Sequence, residues 1–160
     1  LTVQEKISAP VNVNQKILLG LNVSNAIDRS HTPTAAAAEN TRILFVEDED
    51  SVRTFGTRAL KKKGYDVIGC NSAENALEYI ERDSGFNLLV TDMVMPGISG
   101  AELTKIIKEK LPDIKVILAS GYSEEIVRQE LDNFDDFDFI TKPYSLGDLT
   151  AKVFDVLNKE

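Results

Sequence analysis

Acidic, hydroxyl and amine side chains end four short apolar runs of this sequence. Glu47 and Asp48 end the first run, Asp92 the second, Ser120 the third and Lys142 the fourth. If these runs are parallel strands of one sheet, right-handed crossovers bring their carboxyl ends to the same edge. The sequence therefore predicts one site that holds three carboxylates, a hydroxyl and an amine.

Phosphoryl transfer with a divalent cation is the chemistry that such a site would support. Three adjacent carboxylates repel one another unless a cation is present, and Glu47, Asp48 and Asp92 are the hard oxygen ligands that Mg²⁺ prefers, with water and a backbone carbonyl. Screening by the ion would let Asp92 attack a phosphorus atom. Lys142 would pair with one phosphoryl oxygen, and Ser120 would donate a hydrogen bond to another. We expect a site that makes and holds an aspartyl phosphate.

Each of these signals is weak when it is taken alone. Adjacent acids after a strand are often only a polar loop, an Asp before a turn often stabilises that turn, and Lys-Pro is common in loops. The prediction rests on the shared position of all four groups at the ends of successive strands.

Short apolar runs alternate with amphipathic stretches from Thr41 onward, which predicts α/β architecture. We expect a doubly wound five-stranded parallel sheet with helices on both faces. The first helix, over 50–63, would have Gly64 as its C-cap, and the apolar face of this helix would hold Val52, Phe55, Ala59 and Leu60. The fourth helix would begin at the N-cap Ser123. The predicted strands cover residues 43–47, 66–70, 87–92, 115–120 and 137–141.

Composition favours one folded domain preceded by a linker. The chain has 160 residues, of which 42% are hydrophobic, enough for one full core. Residues 1–41 are rich in Asn, Ser, Thr and Ala and predict a largely disordered linker, or the remnant of a preceding domain. The domain would then occupy residues 42–160. The apolar stretch 17–23 is an exception within the linker, and we assign it no chemistry.

The charge of the chain argues against binding to nucleic acid. The formal net charge is −8, and residues 1–42 are nearly balanced, so the acidic excess belongs to the predicted domain. Protein partners and cations are the expected ligands. The single cysteine, Cys70, indicates a reducing compartment, and no apolar run is long enough to span a membrane. These features predict a cytoplasmic segment without membrane contact, although a parent protein could be membrane-anchored.

Residues 42–160 resemble the receiver domain of two-component response regulators. The resemblance is carried by Glu47-Asp48, by Asp92 with Met95-Pro96-Gly97 and Gly100 after it, and by Ser120 and Lys142-Pro143. It implies a flavodoxin-like fold with strand order 2-1-3-4-5.

The same resemblance implies roles for individual residues. Asp92 would accept a phosphoryl group from the histidine of a kinase or phosphotransferase, and the domain would catalyse its own phosphorylation and dephosphorylation. Glu47 and Asp48 would help to bind Mg²⁺, and Ser120 and Lys142 would contact the phosphoryl group. Phe139 occupies the aromatic switch position, where it cannot donate a hydrogen bond as a Tyr would. Glu47 stands where Asp is more usual, and its longer side chain could change the metal geometry.

Residues 90–97 and 117–125 resemble, more particularly, the receivers of alphaproteobacterial cell-cycle hybrid histidine kinases of the CckA type. No DNA-binding module follows the predicted last helix, so we expect the C-terminal receiver of a hybrid kinase that exchanges phosphate with a histidine phosphotransferase. His31 lacks the helical and acidic context of a phosphoacceptor histidine, which indicates a linker residue. This segment is therefore not itself expected to be a kinase core.

Alternative functions remain open at this point. The domain could be a stand-alone or allosteric receiver, in which phosphorylation rearranges Ser120 and Phe139 and changes a protein contact. In a relay, the face over 49–56 would dock a partner, with Val52 and Phe55 as apolar candidates. A phosphatase of the haloacid dehalogenase type is disfavoured, because its general acid would stand at Val94. The acidic and aromatic run 132–139 lacks the glycine and terminal glutamate of a calcium loop and predicts a solvated loop.

Overall fold

Strands and helices alternate along the part of the chain that the structure describes. The computed structural model describes residues 40–131 and 136–160. Residues 1–39 of the predicted linker and residues 132–135 of the acidic and aromatic run therefore lie outside the described residues. In chain order the elements are β1 Arg42–Val46, α1 Asp50–Lys62, β2 Asp66–Cys70, α2 Ala73–Arg82, β3 Leu88–Asp92, α3 Gly100–Lys110, β4 Lys115–Ser120, α4 Glu124–Glu130, β5 Asp138–Thr141 and α5 Leu146–Leu157.

The five strands form one parallel sheet in the order β2-β1-β3-β4-β5. This arrangement confirms the predicted doubly wound fold and its strand order. Two strands have the predicted bounds, β3 and β5 begin one residue later than predicted, and β1 is shifted by one residue at both ends. The carboxyl ends of β1, β3, β4 and β5 lie at a common edge, which is where Glu47, Asp92, Ser120 and Lys142 occur.

Each face of the sheet is covered by its own apolar layer. Alternate residues of a strand point to opposite faces, so Ile43 and Phe45 of β1 belong to one layer and Leu44 and Val46 to the other. Side chains of α1 and α5 complete the layer with Phe45, whereas α2, α3 and α4 complete the layer with Leu44. Both faces are buried, which explains why the strands read as continuous apolar runs.

The orientation of α1 decides between two predictions for Phe55. Helical spacing placed this side chain on the apolar face of the helix, whereas the docking hypothesis required it to be accessible, and it is 47% exposed. Gly56 takes the inward position instead, because a Cβ atom there would lie only 2.4 Å from Cζ of Phe45. The helix packs close to β1 at this glycine, and Phe55, one residue earlier, is turned away from the sheet.

The ends of the helices are fixed by local hydrogen bonds that agree with the sequence. Gly64 has a φ of 99°. Its N–H donates a hydrogen bond to the carbonyl of Lys61, and Tyr65 N–H donates one to the carbonyl of Leu60. These two bonds form a Schellman motif, with Gly64 one residue beyond the C-cap Lys63. Ser123 accepts a hydrogen bond from Ile126 N–H and caps α4 as predicted.

Candidate functional site

Three carboxylates converge at the carboxyl edge of the sheet. Oxygen atoms of Glu47, Asp48 and Asp92 all lie within 4.8 Å of one another. Glu47 is 3% exposed and the Asp92 side chain 11% exposed, whereas Asp48 is open to solvent. The loop after β1 supplies two of the acids, and the last residue of β3 supplies the third.

Lys142 provides the positive charge that faces this cluster. Its Nζ atom lies 3.0 Å from Oε2 of Glu47 and 3.1 Å from Oδ2 of Asp92. Burial acts to lower the pKa of Lys142, but the hydrogen bonds to both carboxylates outweigh it and hold the pKa above its ordinary value. The amine is therefore charged at neutral pH and bridges the two acids.

Glu47 is held at four atoms. Its N–H donates to the carbonyl of Cys70 at 3.0 Å, and its own carbonyl accepts from Nη1 of Arg53 at 2.8 Å. In the side chain, Oε1 accepts from Glu49 N–H at 3.1 Å and Oε2 accepts from Lys142. Burial raises the pKa of this carboxyl, and the two hydrogen bonds offset that effect only in part.

The backbone at Asp92 is fixed by close packing against the start of α3. A Cβ atom on Gly100 would lie 2.0 Å from the carbonyl oxygen of Asp92, so no larger residue fits there without a shift of the backbone. Gly100 N–H also donates to the carbonyl of Met93 at 2.9 Å, and Met93 N–H donates to that of Ala119. The loop 93–99 thus leaves Asp92 and returns directly beside it.

The middle of this loop is tied to α2. Oε1 of Glu74 accepts a hydrogen bond from Ile98 N–H at 3.0 Å, next to Gly97, whose φ is +79°. This hydrogen bond is the main reason why the pKa of Glu74 is lowered. Neither Glu74 nor Arg53 was identified from the sequence, because neither ends a strand or belongs to a motif with a fixed spacing.

Ser120 and Lys142 are linked at the ends of neighbouring strands. Ser120 is 1% exposed, and its Oγ accepts from Tyr122 N–H at 3.0 Å. Its carbonyl accepts from Lys142 N–H at 2.9 Å, and the Lys142–Pro143 peptide bond is cis. The Ser120 hydroxyl proton takes no part in the bond with Tyr122, since the oxygen is the acceptor there.

Aromatic and apolar side chains surround the site. Phe139 is partly buried and packs against the layer formed by α2, α3 and α4. Val94 and Tyr122 are 62% and 57% exposed, respectively. No sequence pattern indicated Tyr144, where burial, followed by the charge of Glu47, raises the pKa to about 12.

A groove of about 670 Å³ lies between α1 and the start of α5. Phe55, 47% exposed, and Leu146, 39% exposed, are its large apolar side chains. Arg58 and Lys62 add positive charge to its lining. Val52, the other residue predicted for partner contact, is only partly exposed and does not line this groove.

The fold and the acidic site are those of a phosphorylation-based signalling domain, and sequence comparison agrees. The profile of the response regulator receiver domain matches residues 43–154. The chain therefore belongs to the response regulator receiver domain family of two-component signalling.

Individual relatives place the chain within this family. It is 37% identical to the sensor kinase CckA of Brucella abortus over 95% of this chain, a match that covers only 15% of that kinase. It is 34% identical to the response regulator receiver protein CpdR of the same organism, over 70% of this chain and 92% of CpdR. The crystal structure of the receiver domain from the hybrid histidine kinase CckA superposes with a TM-score of 0.61 and 34% identity, over 73% of this chain and 99% of that domain. The resemblance to CckA-type receivers is thereby confirmed.

Within residues 40–131 and 136–160, no helix is both long and apolar enough to cross a bilayer.

Proposed function

We propose that this chain is the phosphoacceptor receiver of a phosphorelay, with Asp92 as the acceptor. It would take a phosphoryl group from a phosphohistidine and exchange it with a histidine phosphotransferase. The observation that carries the proposal is the bridge from Lys142 to both Glu47 and Asp92, beside the exposed carboxylate of Asp48. Burial of two carboxylates around one amine costs desolvation free energy, and such arrangements cluster at functional sites.

The donor set fits Mg²⁺. Three carboxylates within 4.8 Å offer hard oxygen ligands, and a single lysine leaves their combined charge negative. Glu47, Asp48 and Asp92 would hold the ion, which would screen the negative charge between the acceptor and the phosphoryl group. Burial, together with the charge of Asp92, raises the pKa of Glu47, so a cation bound beside both carboxylates would stabilise their charged forms.

Transfer would then proceed at one oxygen of Asp92. That oxygen forms a bond to phosphorus as the phosphorus–nitrogen bond of the phosphohistidine breaks, and the imidazole nitrogen keeps the bonding electron pair. Lys142 is already 3.1 Å from Oδ2 of Asp92, so its amine can move from a carboxylate oxygen to a phosphoryl oxygen. Ser120 would redirect its hydroxyl proton to another phosphoryl oxygen.

Partner docking is assigned to the groove beside α1. Phe55 and Leu146 offer exposed apolar area in this groove, whereas Val52 of the same helix lies outside its lining. An amphipathic helix that carries a phosphorylatable histidine would place apolar side chains here. Arg58 and Lys62 would favour a partner with acidic residues around its apolar stripe.

A purely allosteric receiver is the alternative. Phe139 is only partly buried, and it pairs with Leu118, two residues before Ser120 in β4, so phosphorylation could change the position of this ring. In that case the phosphoryl group would alter a protein contact without moving onward. A cytoplasmic location, and an origin in a hybrid histidine kinase, are proposed from the similarity to CckA.

Intact mass measurement tests the acceptor. The protein is incubated with Mg²⁺ and acetyl phosphate, beside the Asp92→Asn variant and an EDTA control. We expect one added phosphoryl group in the wild type and none in either control. An unchanged increment in Asp92→Asn would refute the assignment of Asp92.

Phosphotransfer then separates the relay from the allosteric alternative. Labelled phosphoryl protein is mixed with a histidine phosphotransferase and with a variant of that partner that lacks the histidine. Transfer of label to the intact partner alone supports the relay. Label that stays on this chain, while binding to another protein changes, supports the allosteric alternative.

A further inference from the structure

We propose that Arg53 is a positioning residue of the acidic site, whose guanidinium holds the loop after β1 so that Glu47 and Asp48 face Asp92. This inference rests on the proposed function, because it concerns the same Mg²⁺ site. Arg53 does not contact the carboxylates of Glu47, Asp48 or Asp92 in the structure. It acts on the backbone that carries two of them.

The contacts of Arg53 cover the loop from end to end. Nη1 donates to the carbonyl of Glu47 at 2.8 Å and lies 3.5 Å from that of Asp48. Nη2 pairs with the carboxylate of Asp50, the first residue of α1. One rigid planar group therefore joins both acidic residues of the loop to the helix that follows.

The path of the side chain shows why it reaches these atoms. Arg53 starts in the first turn of α1, and its stem passes over Gly69 of β2. A Cβ atom on Gly69 would lie 3.5 Å from Cγ and 3.6 Å from Cδ of Arg53, so the stem lies in contact with that strand. The side chain of Arg53 is only 20% exposed. This packing restricts its rotamers, which lowers the entropy lost in holding the loop.

Glu47 shows what this anchor adds. Its carbonyl would otherwise have no protein donor from the hydrogen bonds of the sheet, because β1 ends at Val46 and Glu47 follows it. With the N–H of Glu47 bonded to Cys70 and its carbonyl bonded to Arg53, the peptide groups on both sides of this residue are fixed. The direction of the buried carboxylate is thereby set before any ligand arrives.

Electrostatics and positioning make opposite predictions for this residue. A positive charge near a cation site weakens Mg²⁺ binding, so removal of Arg53 would strengthen binding if its charge alone mattered. Loss of the loop anchor would weaken binding, because the carboxylates would have to be ordered as the ion binds. The sign of the change therefore identifies the role.

Titration calorimetry with Mg²⁺ alone provides the test, and it needs no phosphoryl donor. Arg53→Met removes the charge and the hydrogen bonds, whereas Arg53→Lys keeps the charge and the stem but loses the planar fork. Lys61→Met, an exposed residue of the same helix, is the control for net charge. We expect Mg²⁺ affinity to fall by about tenfold in Arg53→Met and by a smaller factor in Arg53→Lys. Lys61→Met should leave the affinity near that of the wild type.

Tighter or unchanged Mg²⁺ binding in both Arg53 variants would overturn the proposal. Urea unfolding without Mg²⁺ shows whether each variant is folded, and Arg53→Lys supplies the result if Arg53→Met is not. If the wild type fails to bind Mg²⁺, the proposed function itself fails. If the wild type binds Mg²⁺ and is phosphorylated, but the Arg53 variants bind equally well, only the role of Arg53 fails.

Discussion

Lys142 Nζ lies 3.0 Å from the buried carboxylate of Glu47, although the two residues are 95 positions apart in the sequence. β1 and β5, the strands that precede them, are separated in the sheet by β3 and β4. The amine therefore extends across two strand positions, and it contacts Asp92 of β3 on the way. One cation joins the two acids that the sheet buries at its edge.

Replacement of Lys142 by Met should destabilise the protein when Mg²⁺ is absent. Glu47 and Asp92 would keep their buried positions without a partner, which should lower the free energy of unfolding by about 1–3 kcal/mol at pH 7. Mg²⁺ should restore more stability to this variant than to the wild type. Urea unfolding with and without Mg²⁺ measures both effects. Lys105→Met, an exposed residue of α3, should show neither effect.

Gly100→Ala should disturb Asp92 through its backbone. The added Cβ would lie 2.0 Å from the carbonyl oxygen of Asp92, and no flexible side chain can move aside to relieve that contact. We expect the free energy of unfolding to fall by about 1–3 kcal/mol, and phosphorylation by acetyl phosphate to slow. Gly121→Ala is the matched control, because a Cβ at that position meets no atom within 4 Å. Equal stability of the two variants would contradict the prediction.

Glu74→Ala should loosen the loop after Asp92. The Ile98 amide loses its acceptor, so its hydrogen exchange should become faster, while Glu74→Gln keeps an acceptor oxygen and should remain close to the wild type. Glu81→Ala, an exposed position on the same helix, is the control. Exchange at Ile98 that is unchanged in Glu74→Ala would show that this contact does not order the loop.

The same hydrogen bond has a predictable pH dependence. It lowers the pKa of Glu74, so its contribution is present above the ordinary value of 4.5 and is lost as pH falls through the lowered pKa. Protection of the Ile98 amide should therefore decrease on acidification below pH 4.5. Glu74→Gln has no carboxylate to titrate and should not show this decrease.

Phe55→Ala should affect partners and spare the chemistry at Asp92. The ring is 47% exposed in the groove beside α1, so its removal should leave folding and phosphorylation by acetyl phosphate close to those of the wild type. Phosphotransfer with a histidine phosphotransferase should slow by about tenfold, if the ring is a central contact of that interface. Equal transfer by wild type and variant would place the docking surface elsewhere.

The sequence predicts the sheet well because its signals are local and periodic. Each apolar run marks a strand, and the rule that parallel strands end at one edge is sufficient to bring Asp92, Glu47 and Lys142 together. The order of the strands followed from the resemblance to receivers. The strand ends differ by one residue at most.

Contacts between distant elements were not predictable in the same way. Arg53 and Glu74 act on backbone groups of other segments, and a hydrogen bond to a carbonyl or an N–H leaves no pattern in the residue types around it. The exposure of Phe55 depends on how closely Gly56 approaches Phe45, which belongs to another element. Helical spacing alone could not decide that rotation.

The two ends of the folded part come together at the edge of the sheet opposite Asp92. Thr41, just before β1, lines a cavity of about 500 Å³ together with Leu157 and Asn158 at the end of α5. A short peptide could therefore join these ends, and the chain could be reopened in another loop to give a circular permutant. It also means that the domain could be inserted into a loop of an unrelated protein as a cassette, with its acidic edge facing away from the host.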